Sequence, residues 1–422
     1  MPAGFGGPTV MRIVIAAVSS NTFMSGVSRH AANIVRCLLT RSEVSAVHIL
    51  VAPWEYKHIC EAVSRKDSRL RVHSVSLRPG TISRNLWYYS HLPALAAQLE
   101  ADVVHISYPS PVRQGAFHCP TVVSLHDLYP YDIPANFGFP KVLFNRIVLK
   151  QCLRSVDGIA CVSESTRQNL GLRMPASASK KATTIYNCVE PAPAAVKPAF
   201  FDAWKQDRFL LCVAQHRRNK NIPLVLQTFK HLLSTGVIDS SKRLILVGMP
   251  GPETARIHRF VREADLTQQV MFVSGISDAE MQWCYRNCEL LLAPSIIEGF
   301  GLPVAEALLA GCRVVCSDIP SFREVGGEHC RYVGLGPNAV RDFATAIGET
   351  LRGRRPSPIP LPQLSASTIA EQYLRLYREL TAASKSPAEA SAFAGPAAVE
   401  NRSSSAVQTP HAPHKPDAAR HW

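Results

Sequence analysis

Two glutamates frame the stretch of this chain best suited to chemistry. Residues 294–311 read Pro-Ser-Ile-Ile-Glu-Gly-Phe-Gly-Leu-Pro-Val-Ala-Glu-Ala-Leu-Leu-Ala-Gly, so seven residues separate Glu298 from Glu306. A Gly-x-Gly turn follows Glu298, and Pro303 then marks a helix start, because its fixed φ and missing N–H suit a first helical turn. Glu298 sits in the loop and Glu306 about one turn into the helix. Helical side chains tilt toward the N-terminus, so Glu306 leans back toward the loop. The free N–H groups of the helix start favour an anion by about 0.3–1 kcal/mol per charge. The segment offers an anion cradle with a carboxylate on each side, the shape of a nucleotide sugar with its hydroxyls, diphosphate and ribose. An apolar helix is ordinarily core, but that does not account for Glu306, a carboxylate that is costly there unless bonded.

Other motifs supply complementary groups. Gln215-His-Arg-Arg-Asn-Lys-Asn221 follows an apolar strand pattern. In it Arg218 and Lys220 can clamp a diphosphate, one by bidentate bonding and the other as a point charge. Ser25-Gly-Val-Ser-Arg-His30 follows the first strand pattern, and Gly26 allows close approach of a ligand. It is not a Gly-x-Gly-x-x-Gly fingerprint, and no acidic residue ends the next strand, which argues against a nicotinamide dehydrogenase. His126-Asp127 directly follows Thr121–Leu125, where His126 can bond a sugar hydroxyl or meet charge at the reacting carbon. Gly275-Ile276 follows Val270–Val273 and lets the backbone meet a nucleobase edge.

These residues need a frame that brings them together. Apolar strand patterns at Arg12–Val18, Val47–Ala52, Val72–Leu77, Val103–Ile106, Thr121–Leu125 and Gly158–Val162 alternate with helical ones. After a Pro/Ala-rich break the alternation resumes with Phe209–Ala214, Leu244–Val247, Val270–Val273, Leu290–Ala293 and Arg313–Ser317. Such alternation predicts α/β architecture: two doubly wound Rossmann-like domains with parallel sheets, facing each other across a cleft at the strands' carboxyl ends. The predicted order is a disordered leader (1–10), a first Rossmann-like domain (11–190), a linker (191–200), a second such domain (201–365), a closing helix (366–383) and a disordered tail (384–422).

Composition narrows the class. The 422 residues are 46% hydrophobic and 18% charged, with net charge +14 and twelve cysteines lacking any Cys-x-x-Cys pair. That predicts a cytoplasmic globular protein with buried free thiols and no metal site. The longest apolar runs fall short of the ~20 residues a bilayer span requires. The positive charge implies anionic partners, and no basic helix or aromatic signature of nucleic-acid binding accompanies it.

In this order the motifs resemble the retaining glycosyltransferases of family 4 (glycosyl transferases group 1), with mannosyltransferase-like members. The resemblance covers about residues 11–382 and is densest over 272–327, through Phe272-Val-Ser-Gly, Ser277-Asp-Ala-Glu-Met, the Glu298–Glu306 segment and Ser317-Asp-Ile-Pro-Ser-Phe-Arg-Glu-Val-Gly-Gly327. It implies a GT-B fold, no cofactor and no metal. The donor would be a GDP- or UDP-linked sugar. Glu306 would bind the ribose hydroxyls. Glu298, with Gly299, Phe300, Gly301 and Leu302, would face the sugar and distal phosphate. Arg218 and Lys220 would stabilise the leaving diphosphate, with Arg217 the rival to Arg218. Gly26 would lie beneath the diphosphate, Ile276 at the base and His126 near the anomeric carbon. Asn187, in Ile185-Tyr-Asn-Cys-Val-Glu190, matches a motif closing the first domain. The implied activity is hexose transfer, mannose or glucose in type, to a glycan or lipid-linked acceptor in bacterial surface polysaccharide or glycolipid synthesis. The alternatives are a non-catalytic sugar-nucleotide-binding subunit and a nucleotide-sugar epimerase. Lys141–Arg154 is basic and amphipathic, and Arg78–His91 combines Arg84 with Trp87, Tyr88 and Tyr89. Both leave open a peripheral contact with the inner face of the plasma membrane.

Overall fold

The computed structural model describes residues 10–20, 26–63, 67–192, 194–203 and 208–385. The leader read over 1–10, apart from Val10, and the tail read over 384–422, apart from its first two residues, lie outside the described residues. The apolar runs form two sheets. The first contains β1 (Met11–Ala16), β2 (Val44–Val51), β3 (Leu70–Ser74), β4 (Val103–Ile106), β5 (Thr121–Leu125), β6 (Gly158–Cys161) and β7 (Ala182–Thr184), in the order β3-β2-β1-β4-β5-β6-β7. The second contains β8 (Phe209–Val213), β9 (Arg243–Val247), β10 (Val270–Val273), β11 (Leu290–Ala293), β12 (Val314–Ser317) and β13 (Arg331–Val333), in the order β10-β9-β8-β11-β12-β13. Every strand pair is parallel. Helices cover both faces of such sheets, which is why Ile13–Ala16 and Leu290–Leu292 read as continuous apolar runs and are buried. The short edge strands β7 and β13 are partly exposed and lack such a run, so periodicity does not announce them.

Strand order reverses between β1 and β4 in the first sheet and between β8 and β11 in the second. Loops at such a switch point diverge and leave a crevice beyond the strand ends. Gln215–Asn221 follows β8 and Pro294–Gly301 follows β11, on either side of the second switch point. His126 follows β5, and Gly26 starts the helix Gly26–Leu38 after β1.

The C-terminal helix, Ala366–Lys385, returns to the first domain. Its Ile369, Ala370, Tyr373, Leu374 and Tyr377 are buried with Ile13, Ile15, Ile34 and Val35. The chain therefore crosses between domains twice, and the crossings are joined where Val189 N–H donates to the Leu364 carbonyl at 3.0 Å.

A buried polar chain underlies this packing. Tyr377 O–H meets His105 Nδ1 at 2.6 Å, and His105 Nε2 meets Ser124 Oγ at 2.8 Å. Ser124 Oγ lies 2.8 Å from His30 Nε2, and His30 Nδ1 lies 2.7 Å from Asn187 Oδ1. An amide oxygen only accepts, so His30 Nδ1 carries a proton, and the donors run from Tyr377 through His105 and Ser124 to His30. Both imidazoles are then neutral. Burial agrees, lowering His30 well below the usual range and His105 to about 3. Truncating Leu374, which is fully buried in the first domain, to alanine is expected to cost about 2–5 kcal/mol, read as a lower denaturant midpoint. An unchanged midpoint would show that the C-terminal helix is not part of the first domain's core.

Candidate active site

Glu298 lies just past β11 and draws its partners from both domains. Its Oε1 accepts from Lys220 Nζ and from Ser295 Oγ at 2.6 Å. Its Oε2 accepts from the Tyr129 hydroxyl of the first domain at 3.3 Å. Glu306 sits midway along the helix Leu302–Leu309. One of its oxygens accepts from Tyr285 O–H at 2.8 Å. The other has no hydrogen-bond partner among the described residues. Burial pushes this carboxyl above its ordinary range, while the Tyr285 bond and the charge of Arg29, from the first domain, pull it back. Arg29 also pairs with Asp278 across the cleft.

The turn between the glutamates is shaped by its neighbours. Gly301 has φ 110°, and a Cβ there would stand 2.8 Å from Phe322 Cδ1. A Cβ on Gly299 would stand 1.7 Å from the His126 carbonyl oxygen. The Gly299 carbonyl accepts from Ser163 Oγ and, at 3.1 Å, from Thr166 Oγ1. Phe300 is buried, and Leu302 opens the helix half-buried. A small cavity of about 10 Å³, room for about one water, lies at this helix start, lined by Ala214, Lys220, Ser295, Glu298, Pro303 and Phe322.

His126 is held by Nε2–H donation to the Ser107 carbonyl at 2.9 Å and packs edge-on against His30 at 4.5 Å. Burial lowers its pKa and keeps it neutral, which leaves Nδ1 as a bare acceptor. Ile276 is half-buried after Gly275, whose φ of 73° turns the chain at the end of β10. Gly26 is exposed at its helix start, and a Cβ there would meet nothing within 4 Å. No protein contact therefore demands glycine there.

Two residues have surroundings unlike those of Lys220 and Glu298. Arg218 is exposed and makes no side-chain hydrogen bond or ion pair among the described residues. It begins the 3₁₀ turn Arg218–Lys220, in which successive side chains point about 120° apart. With Asn219 buried and Lys220 on Glu298, Arg218 is the member of this turn left exposed to solvent. Arg217, half-buried, is the arginine whose charge reaches Asp127. Asn187 is buried, and its amide oxygen is taken by His30. It belongs to the polar chain below the cleft rather than to its wall.

The structure adds cleft residues that sequence reasoning missed. Glu324 accepts backbone N–H groups of Glu164 and Ser165 at the start of the helix Glu164–Arg173. Asn219 Nδ2 reaches the Tyr129 hydroxyl at 3.3 Å. Ser163, two residues past β6, was readable as a helix N-cap, but its reach to Gly299 was not. Among the described residues no group of three or more His, Cys, Asp and Glu is placed to hold a metal ion. Gly299→Ala would drive a Cβ into the His126 carbonyl, so it is expected to separate the domains while each stays folded. Small-angle scattering should show a larger radius of gyration with near-native circular dichroism. An unchanged radius would mean that the contact yields locally.

Comparisons with known proteins agree with this geometry. The model described as Glycosyl transferases group 1 matches residues 198–358, and that described as Glycosyltransferase Family 4 matches residues 24–192. The chain is 28% identical over 225 residues to the O-antigen chain mannosyltransferase RfbU of Salmonella typhimurium, a match covering 53% of this chain and 59% of that relative. It is 24% identical over 361 residues to O-antigen chain mannosyltransferase B of Escherichia coli, covering 81% of this chain and 91% of the relative. Among solved structures, sucrose-phosphate synthase from Thermosynechococcus elongatus superposes with a TM-score of 0.63 at 18% identity, covering 88% of this chain and 100% of that one. WaaG, a glycosyltransferase involved in lipopolysaccharide biosynthesis, gives 0.61 at 14% identity, covering 88% and 98%. At these identities the superpositions establish the fold, two Rossmann-like domains in the GT-B arrangement. With its two halves each matched in order, the chain belongs to the glycosyl transferases of group 1, with a family 4 glycosyltransferase domain in front.

Proposed function

We propose that this chain transfers a hexose, mannose or glucose in type, from a GDP- or UDP-linked donor to an acceptor hydroxyl in bacterial surface polysaccharide or glycolipid synthesis. The sugar keeps its anomeric configuration, and no cofactor or metal takes part. One observation carries this reading: Lys220, Glu298 and the start of the helix Leu302–Leu309 line one cavity, with Glu306 on the same helix and the His126 carbonyl of the first domain packed against Gly299. Two relatives named as O-antigen chain mannosyltransferases support the sugar and setting.

The charges suit the reaction. As the glycosidic bond breaks, the leaving diphosphate gains negative charge. A fixed Lys220, Arg217 and the helix N-terminus oppose that charge more strongly in the transition state than in the ground state. Glu298, held by three donors, serves as a fixed negative charge beside the sugar. Glu306, with one oxygen lacking a hydrogen-bond partner among the described residues, accepts from ribose hydroxyls.

The acceptor is a lipid-linked glycan met at the membrane, and nucleic acid is not a partner. Ile82, Leu86 and Tyr89 are exposed on the helix Thr81–Ser90, as are Phe139, Leu143, Phe144 and Ile147 on or just before the helix Lys141–Ser155. Both helices bury their other sides, Trp87 and Tyr88 in one and Leu149 and Leu153 in the other, in a single core cluster. They therefore cover the same face of the first sheet. Neither contains an acidic residue. An apolar, acid-free surface fits an anionic bilayer face. No helix among the described residues is long and apolar enough to cross a membrane.

Glu298→Gln keeps the side chain's size and removes its charge. It is expected to lower sugar release from GDP-mannose or UDP-glucose by about 10²-fold or more without abolishing the thermal shift that GDP or UDP confers. Turnover near wild type would remove Glu298 from the reaction. For the membrane contact, the wild-type protein should sediment with phosphatidylglycerol vesicles at low salt, and a Leu143→Glu/Ile147→Glu protein should not. Absence of wild-type sedimentation at low salt would reject the contact.

A further inference from the structure

Glu298 takes one of its bonds from the other domain, and the neighbours of that bond fix its direction. Asn219, fully buried, is tied to the loop after β11 twice. Its main-chain carbonyl accepts Ile296 N–H at 2.8 Å, and its Nδ2 donates to the Ile297 carbonyl at 3.4 Å. A carbonyl only accepts, so the amide nitrogen of Asn219 faces that loop, and its Oδ1 accepts from Asn136 Nδ2 at 3.3 Å. The second hydrogen of Asn219 Nδ2 goes to the Tyr129 hydroxyl at 3.3 Å. Tyr129 then gives its own hydrogen to Glu298 Oε2, also at 3.3 Å. Burial and the charge of Glu298 hold Tyr129 well above the usual phenol range, so its hydroxyl stays protonated and able to donate. We infer that Tyr129, carried by the first domain, positions Glu298 for catalysis, so that its charge is aimed at the sugar only while the domains are docked. The inference deepens the glycosyltransferase reading and rests on it.

The second domain alone leaves Glu298 half directed. Lys220 and Ser295 both bond Oε1, and donors on one oxygen leave a carboxylate able to swing about it. Tyr129 is the one donor on Oε2 among the described residues, and it fixes the plane of the group. Tyr129 opens the short helix Tyr129–Asp132, and Asn136 closes the 3₁₀ turn Pro134–Asn136, both after β5. Asp127 accepts Tyr129 N–H at 3.0 Å and ties the start of that helix to the strand end. The same strand end meets Gly299 through the His126 carbonyl.

When the domains part, Tyr129 and Asn136 leave with the first domain, while Asn219, Lys220 and Ser295 stay with Glu298. Oε2 then loses its donor. A carboxylate that must reorient during the reaction stabilises positive charge at the anomeric carbon less well than one already aimed. Donor activation is thereby tied to the docked first domain, and an open protein is less able to lose the sugar to water.

The test is a double-mutant cycle on the full chain, with Tyr129→Phe and Glu298→Gln made singly and together. Hydrolysis of GDP-mannose and UDP-glucose is followed at saturating donor, and GDP and UDP affinities are measured by calorimetry. Tyr129→Phe is expected to lower the hydrolysis rate about tenfold, the size of one bond to a charged group, with nucleotide affinity within about twofold. In the Glu298→Gln protein the same change should cost less than about twofold, because no charge is left to aim. A merely structural role for Tyr129 would cost the same in both backgrounds, and that result overturns the inference. So does a Tyr129→Phe rate within about twofold of wild type. Denaturant midpoints of the same proteins need no turnover. The midpoint loss from Tyr129→Phe should shrink by about half in the Glu298→Gln background, since a neutral amide oxygen accepts the weaker bond. Equal losses overturn the inference as well. Wild-type protein that binds neither nucleotide overturns the reading beneath it, while coupled midpoints would still establish the contact.

Discussion

The carbonyl of His126 occupies the space that a side chain on Gly299 would fill. That close approach sets how the two domains meet. It brings the end of β5 against the loop after β11, and the other cross-domain bonds gather round it. Ser163 and Thr166 reach the Gly299 carbonyl, Tyr129 reaches Glu298, and Glu324 caps the helix Glu164–Arg173. Each is a single polar contact worth about 1 kcal/mol net. Their value lies in direction, since they fix which side chains face one another. The cleft's chemistry is thus divided, with His126 and Asp127 on one domain and Lys220, Glu298 and Glu306 on the other.

Burying charge in such a place is costly unless each group is answered. Glu298 is answered three times, by an ammonium and two hydroxyls. Glu306 is answered once and Asp127 once. The more poorly answered carboxylates are the two left for a ligand to complete. The raised carboxyls of Asp127 and Glu306 show that cost, and a bound sugar nucleotide with its hydroxyls would relieve it.

Much of the frame was legible because parallel strands buried on both faces read as continuous apolar runs. β4, β5, β10 and β11 fall at the boundaries that pattern implied. The glutamates were legible because spacing along a loop and a helix is local information. What local spacing leaves open has a common cause. Arg218 and Lys220 look equivalent in sequence, but a 3₁₀ turn points them apart. Asn187 looks like a cleft residue, yet its partner His30 is 157 positions away. Tyr129, Ser163 and Glu324 each reach a partner in the other domain. Local spacing predicts what one segment can offer, and the contact between domains decides which groups are used.

The C-terminal helix limits how the cleft can open. A chain crossing once between domains allows them to swing freely about one strand of backbone. Here two crossings run side by side, joined between Val189 and Leu364. Paired crossings resist twisting and leave bending as the easier motion. The polar chain extends this constraint inward, from Tyr377 on the returning helix through His105 and Ser124 to His30 and Asn187 beside the first crossing. His30 in turn packs against His126. The polar chain that starts on the returning helix therefore ends against the imidazole that faces the cleft.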